Sequence, residues 1–148
     1  MGERTLPERT GTTKEELERM ASQIKSNPEE IIGKAYILLR KDLEMPEGKL
    51  AAQAGHAMDL LWDYMRTDAS DEEIEEFDKW HDSGRRKIIL RLKDESDMIK
   101  INNKLIEEGF KPHLIYDYGI NFFDGLTFTG LVLLSTKEVK TLKRVRVY

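Results

Sequence analysis

Short runs of β-forming residues alternate with longer segments of helical periodicity, and this order constrains the fold more than any other feature of the chain. Residues 34–40 and 87–93 are apolar runs that are typical of buried strands. Segments 48–65 and 94–109 follow them and repeat apolar residues at the helical period. Strands that alternate with helices form a sheet with helices packed against it. The sequence therefore predicts an α/β fold.

Two further strands complete the predicted sheet. Residues 113–116 and 126–134 are the candidates, and Gly130 inside the second marks either a bulge or a close backbone contact. We expect a single domain built on a four-stranded mixed β-sheet that is flanked by helices.

Capping patterns locate the ends of the other helices. Thr13-x-x-Glu16 predicts a short amphipathic N-terminal helix, and Ser70-x-x-Glu73 predicts a helix with an acidic solvent face. A final basic helix is expected after Ser135. The helix of 94–109 is expected to bury four residues, which are Met98, Ile101, Leu105 and Ile106.

The chain length and the lack of cysteine limit the organisation of the protein. Its 148 residues suit one domain, and a chain of this size can form a core without disulfides. We expect residues 1–32 to be a polar leader with the short helix, and residues 33–148 to be the domain. The absence of cysteine excludes thiol nucleophiles and thiolate metal sites.

Charge and hydropathy indicate the surroundings of the protein. No apolar run approaches the roughly 20 residues of a membrane helix, so we expect no membrane partner and a cytoplasmic location. The net charge of -4 argues against a general nucleic-acid coat protein. An acidic block at 68–82 hides basic segments at 85–93 and 137–146, however, and a local basic face remains open.

The common catalytic motifs are absent from the sequence. The three histidines never occur at metal-ligand spacing, so no metal site is expected. The glycine patterns of dinucleotide and nucleotide triphosphate sites are missing, as is the serine elbow of hydrolases. We expect no cofactor.

The best candidate for an anion-binding corner is the start of the helix that begins near residue 48. Lys49, Gln53 and His56 are spaced so that they share one helical face. A lysine at a helix N-terminus is electrostatically unfavourable without an anionic partner, which favours function over an ordinary surface lysine. For His56, a packed histidine bonded to a backbone carbonyl is an equal alternative.

A second candidate, Asp117-Tyr118-Gly119, follows the third predicted strand. Ligand crevices in open α/β sheets form at strand ends, which would place Asp117 at a site. An Asp-Gly turn without further function is the alternative, and the tripeptide alone favours the turn.

Residues from about 34 to 135 resemble the peptidyl-tRNA hydrolase type of archaea and eukaryotes. The matching residues are Arg40, Asp42, Leu43, Met45, Gly48-Lys49-x-Ala51-Ala52-Gln53-x-x-His56-Ala57, Trp80, Lys87-Ile88-Ile89-Leu90, Asp117-x-Gly119 and Thr127-x-Thr129. The resemblance implies hydrolysis of the ester between a peptide and tRNA, using water and no cofactor, and often a homodimer. It implies that Lys49 and Asp117 are catalytic. The implied substrate-binding residues in the same cleft are Gln53, His56, Lys87, Asn121 and Thr127.

Several positions depart from the family pattern. Glu47 stands where the family usually has a lysine, and the run 117–122 lacks the usual arginine and threonine. The C-terminal tail resembles a divergent branch of the family. The alternative function is therefore a tRNA-binding or regulatory module of the same fold that has little or no catalytic activity.

Overall fold

The computed structural model describes residues 13–148, and its centre is a four-stranded sheet. The strands are β1 (Lys34–Arg40), β2 (Lys87–Leu92), β3 (His113–Asp117) and β4 (Thr127–Ser135). Their order is β2, β1, β4, β3; β1 is parallel to β2, and β4 is antiparallel to both of its neighbours. The predicted mixed sheet is confirmed, and the polar leader predicted at the N-terminus lies largely outside the described residues.

Four α-helices surround the sheet in the described part of the chain. They are α1 (Lys14–Ser26), α2 (Glu47–Thr67), α3 (Asp71–Asp82) and α4 (Glu95–Glu107). The predicted caps are present, since Thr13 accepts a hydrogen bond from the Glu16 amide at 3.2 Å and Ser70 forms a reciprocal capping box with Glu73. Side-chain oxygens at these positions satisfy amides that the first helical turn leaves free.

The helices create one core on each side of the sheet. On the first side, α2 and α3 bury Ala57, Leu61 and Trp80 against strand residues such as Ile37. On the second side, α4 packs beneath Leu38, with Met98 and Leu105 fully buried. Because β1 lies between two paired strands and two helical layers, its central residues are buried on both faces. Truncating such a leucine to alanine costs about 2–5 kcal/mol.

Gly130 satisfies both alternatives that the sequence leaves open. A Cβ atom at this position would overlap the carbonyl oxygen of Leu38, so the two backbones approach closely. In addition, the partner on β4 changes from Gly130 to Phe128 between the adjacent residues Ile115 and Tyr116. Thr129 is therefore the extra residue of a β-bulge, and its side chain is aimed differently from that of a regular strand residue.

The predicted final helix is wrong. Only a short 3₁₀ turn, Lys140–Leu142, forms in this region, and the Ser135 hydroxyl bonds to Lys137 instead of capping a helix. The chain then runs along the open edge of β2, where Val147 forms a β-bridge with Leu90. The unpaired backbone groups of β2 thus draw the tail into extended structure.

Two further observations concern the helices. The predicted burial of Ile106 is also wrong, because the residue is 55% exposed: it lies about 100° around the helix from the buried Leu105.

None of the helices in residues 13–148 is both long and apolar enough to cross a membrane.

Candidate active site

The candidate site lies where the last residue of β3 faces the first turns of α2. Pro46 precedes the helix with an extended backbone, and Lys49 follows in the first turn. The small side chains of Ala54 and Ala57 pack into the core beneath the sheet. They allow the helix to lie close to β3, which brings polar residues of α2 within reach of Asp117.

Asp117 is the centre of the site, and the predicted helical face converges on it. One carboxylate oxygen, Oδ2, lies 2.9 Å from Lys49 Nζ, 2.9 Å from Gln53 Nε2 and 3.5 Å from His56 Nε2. The other, Oδ1, accepts a hydrogen bond of 2.8 Å from the Gly119 amide. The tripeptide thus forms an Asx-type turn through the Gly119 amide and also places Asp117 where the side chains of the helical face meet.

The protonation of Asp117 is set by two opposing effects. Burial raises the pKa of its carboxyl, whereas hydrogen bonds from Lys49, the Gly119 amide and Gln53 lower it and prevail, which brings the pKa to about 2. A carboxylate of this kind stays ionised at neutral pH. It is consequently a weak proton acceptor but a strong orienting group for cations and N–H donors.

A buried chain of hydrogen bonds holds this carboxylate. Gln53 is fully buried, and its Oε1 accepts a hydrogen bond of 2.6 Å from the hydroxyl of Thr129. With that oxygen occupied, the amide NH₂ group must face Asp117. The β-bulge places Thr129 to make this contact. The sequence analysis gives Thr129 no role in the site, although two signals were present: its match to the family pattern and the adjacent Gly130 that marks the bulge.

Lys49 has a second neighbour besides Asp117. Its ammonium lies 5.1 Å from the centroid of the Phe123 ring, within range of a cation–π interaction. Phe123 belongs to the loop between β3 and β4, and the sequence analysis does not identify it. The ring and the carboxylate together fix the position of the charge, whose side chain is 17% exposed.

A cavity of about 340 Å³ opens beside the ion pair. Four of its lining residues are among those predicted for the site, namely Lys49, His56, Asp117 and Asn121. The others were not predicted and include two strongly exposed loop residues, Tyr118 (82%) and Ile120 (83%). The sequence signal that would have identified them is the presence of bulky apolar residues in the loop segment after a strand.

His56 is an open member of the site rather than a packed core histidine. Its side chain is 46% exposed and lines the cavity. Within the described residues no backbone carbonyl accepts a hydrogen bond from its ring, so that alternative is wrong. Its Nε2 lies 3.5 Å from Oδ2 of Asp117.

Thr127 is beside the site, with its hydroxyl directed to the loop. It pairs with Asp117 across β3 and β4, but its hydroxyl donates a hydrogen bond of 2.9 Å to the carbonyl of Gly125. The contact stabilises the loop that carries Asn121 and Phe123.

The structure does not bring Lys87 to this cleft, so the expectation that it borders the site is wrong. Lys87 begins β2 and aligns through Ala35 with Leu134, seven residues along β4 from Thr127, or about 23 Å. Its ammonium instead donates to the carbonyl of Arg85 at 3.0 Å. Burial and the nearby Arg85 charge lower the pKa of Lys87.

The geometry defines a class of site. An ammonium and an ionised carboxylate form one wall, an accessible imidazole lies beside them, and neither serine nor cysteine lines the described cavity. Residues 13–148 contain no cluster of side chains suited to hold a metal ion. An ammonium held by an ionised carboxylate, with an imidazole beside it at an open cavity, suits general acid–base and electrostatic catalysis.

Comparison with known proteins agrees with this class. Residues 33–143 match the family Peptidyl-tRNA hydrolase PTH2, and the chain belongs to that family. The resemblance predicted from the sequence is confirmed.

Named relatives are peptidyl-tRNA hydrolases of archaea. That of Methanocaldococcus jannaschii is 30% identical over 107 residues, which are 72% of this chain and 90% of the relative. That of Methanopyrus kandleri is 32% identical over 105 residues, 71% of this chain and 86% of the relative. That of Methanothermobacter thermautotrophicus is 33% identical over 98 residues, 66% of this chain and 81% of the relative.

Proposed function

We propose that this protein hydrolyses the ester bond that joins a peptide to the 3′ end of tRNA, with water as the nucleophile and no cofactor. The ion pair between Lys49 and Asp117 at the wall of an open cavity carries the proposal. Membership of the family and the names of the archaeal relatives support the choice of substrate.

Lys49 supplies positive charge to the reaction. When water attacks the ester carbonyl, its oxygen becomes negative, and a fixed ammonium beside it stabilises the transition state. Asp117 and the Phe123 ring hold the ammonium in place before the substrate arrives. The charge is therefore preorganised.

Asp117 orients the reacting groups, and His56 moves the proton. The carboxylate is too weak a base, whereas imidazole is the usual general base near neutral pH. With Nε2 turned toward Asp117, His56 accepts a proton from water at Nδ1. Oxygen of the water bonds to the carbonyl carbon, the ester C–O bond breaks, and the proton passes to the departing ribose oxygen.

The other predicted residues have supporting roles. Gln53 is fully buried with both ends of its amide engaged, so it positions Asp117 and does not contact the substrate. Asn121 lines the cavity and is free to bind the peptide or the terminal ribose, and Thr127 supports the loop.

The decisive experiment compares the wild-type protein with Asp117→Asn in release of peptide from purified peptidyl-tRNA without added metal. We expect turnover to fall about 10²–10⁴-fold while tRNA affinity hardly changes, because the variant loses the group that orients both Lys49 and His56. Asp63→Asn, which removes an exposed carboxylate elsewhere on α2, should behave like the wild type.

One result would replace the proposal. A wild-type protein that binds tRNA yet cleaves no faster than Asp117→Asn would be a binding module of the same fold. Glu47, exposed in the first turn of α2, is the departure that would then explain the missing activity.

We also propose that residues 1–32 form an appendage to a domain of 33–148, and that the protein acts in the cytoplasm as a homodimer. The start of the family match at residue 33 and the lack of buried residues in α1 support the division. Limited proteolysis should cleave first within residues 1–33. Sedimentation equilibrium should give twice the chain mass, and a monomer mass would remove the dimer from the proposal.

A further inference from the structure

A second cavity, of about 620 Å³, opens at the same end of the sheet as the candidate site. We call it the cationic groove, after its five basic lining residues: Lys41, Arg91, Lys93, Arg144 and Arg146. The tail creates it by running along β2, where the Arg91 amide donates a hydrogen bond of 2.9 Å to the carbonyl of Arg146.

The basic side chains of the groove have no anionic partner in the fold. Across residues 13–148, none of the five forms an ion pair. Three acidic residues also line the groove, but Asp42 is already neutralised by two hydrogen bonds from Arg40, of 3.0 and 2.7 Å. The lining thus carries five cations against two other carboxylates, Glu44 and Asp97, and this excess of positive charge favours an external anion.

The groove is within reach of the candidate site. Lys41 follows β1, Arg91 and Lys93 lie at the end of β2, and Asp117 ends β3 at the same end of the sheet. Three strand spacings separate β2 from β3, or about 14 Å. At 3.4 Å of helix axis per nucleotide of one strand, this distance corresponds to about four stacked nucleotides.

We propose that the cationic groove binds backbone phosphates of the tRNA acceptor end while the ester lies against Lys49 and Asp117. The inference rests on the proposed function and adds a substrate contact to it. Guanidinium groups suit phosphate because they donate paired hydrogen bonds. Arg144 and Arg146 lie beyond residues 33–143, so this contact is built in part by a segment outside the family match.

The test is the double variant Arg144→Gln with Arg146→Gln in the full chain. We measure binding of deacylated tRNA at several salt concentrations, and hydrolysis of peptidyl-tRNA. Loss of two phosphate contacts should lower the slope of log association constant against log salt by about 1.4–1.8. KM should rise while kcat stays unchanged, because the tail lies four strand spacings from Asp117, or roughly 19 Å. Lys100→Gln with Lys104→Gln, on the exposed side of α4, removes the same charge and should change neither quantity.

A second variant keeps the test independent of the tail. Lys41→Gln with Lys93→Gln leaves the β-bridge of Val147 intact and should change the salt slope in the same direction. If the salt slope and KM are unchanged in both variants, the groove does not bind tRNA phosphates, even if the protein hydrolyses its substrate. A wild-type protein that binds no tRNA would also refute the proposed phosphate contact. If the affinity for tRNA depends on the groove residues but peptidyl-tRNA is not hydrolysed, the phosphate contact is supported and the proposed function is wrong.

Discussion

The two ends of the sheet each hold a lysine beside an aromatic ring, and they differ in what else the lysine meets. At the Asp117 end, Lys49 lies 5.1 Å from Phe123 and 2.9 Å from a carboxylate oxygen. At the other end, Lys87 lies 5.3 Å from the Trp80 ring and, within residues 13–148, donates a hydrogen bond only to a backbone carbonyl. The difference shows that a lysine beside an aromatic ring does not by itself make an active site. A buried carboxylate with further donors and an adjacent cavity distinguishes the reactive end.

The largest test of this comparison replaces each lysine in turn. Lys49→Ala should lower kcat for peptidyl-tRNA about 10²–10³-fold, the usual cost of removing one group that stabilises an oxyanion. Lys87→Ala should leave kcat unchanged, because it lies at the far end of β2. If both variants lost the same factor of kcat in steady-state assays, the two ends of the sheet would not differ in their contribution to catalysis.

Histidines provide a second matched pair. His56 lies 3.5 Å from Asp117, and His81 lies 3.2 Å from Asp82 near the Lys87 end. His56→Asn should lower kcat by about 10²-fold, since the general base is lost. His81→Asn should retain the wild-type kcat. A kcat of His56→Asn equal to that of the wild type would refute its role in proton transfer.

The third test concerns the threonines that support each end. Thr129→Val removes the donor to Gln53 and frees the amide to turn away from Asp117, so kcat should fall about tenfold with little change in KM. Thr136→Val removes a hydrogen bond of 3.0 Å to Glu76 at the other end, and should affect only the free energy of unfolding. Restored activity in Thr129→Ser would confirm that the hydroxyl matters.

The smallest expected effect is on acid stability. The pKa of Asp117 is about 2 when folded, below the roughly 3.9 of an unfolded aspartate. The ionised group therefore contributes about 2 kcal/mol of stability above pH 4, which is lost as the pH falls through 2. Urea unfolding of wild type and Asp117→Asn should show a difference at pH 7 that shrinks toward pH 2. A constant difference would contradict the low folded pKa.

Local sequence patterns predict the features that depend only on residues close together in the chain. Strand β1, the cap at Ser70 and the shared face of Lys49, Gln53 and His56 all follow from spacing along the chain. Contacts between distant segments could not be predicted this way without the family resemblance. Asp117 reaches that face only because β3 and α2 pack together, although 64 residues separate it from Gln53.

The wrong and missing predictions concern features that depend on how the strands pair in the sheet. Lys87 was assigned to the cleft because its strand matches the family, but only the strand direction tells which end of β2 faces the site. The final helix failed because its residues meet the open edge of β2. Thr129 was missed because a bulge is a property of two paired strands rather than of one.

The pairing of the tail with β2 has a consequence for how copies of the protein meet. An open strand edge is a template on which another chain can add, and it promotes aggregation. Val147 occupies part of that edge, and the arginines at 144 and 146 add positive charge beside it. Two copies that approach edge to edge would therefore meet like charges and backbone groups already in use. The tail segment that lines the cationic groove therefore also protects the β2 edge of the sheet against pairing with another chain.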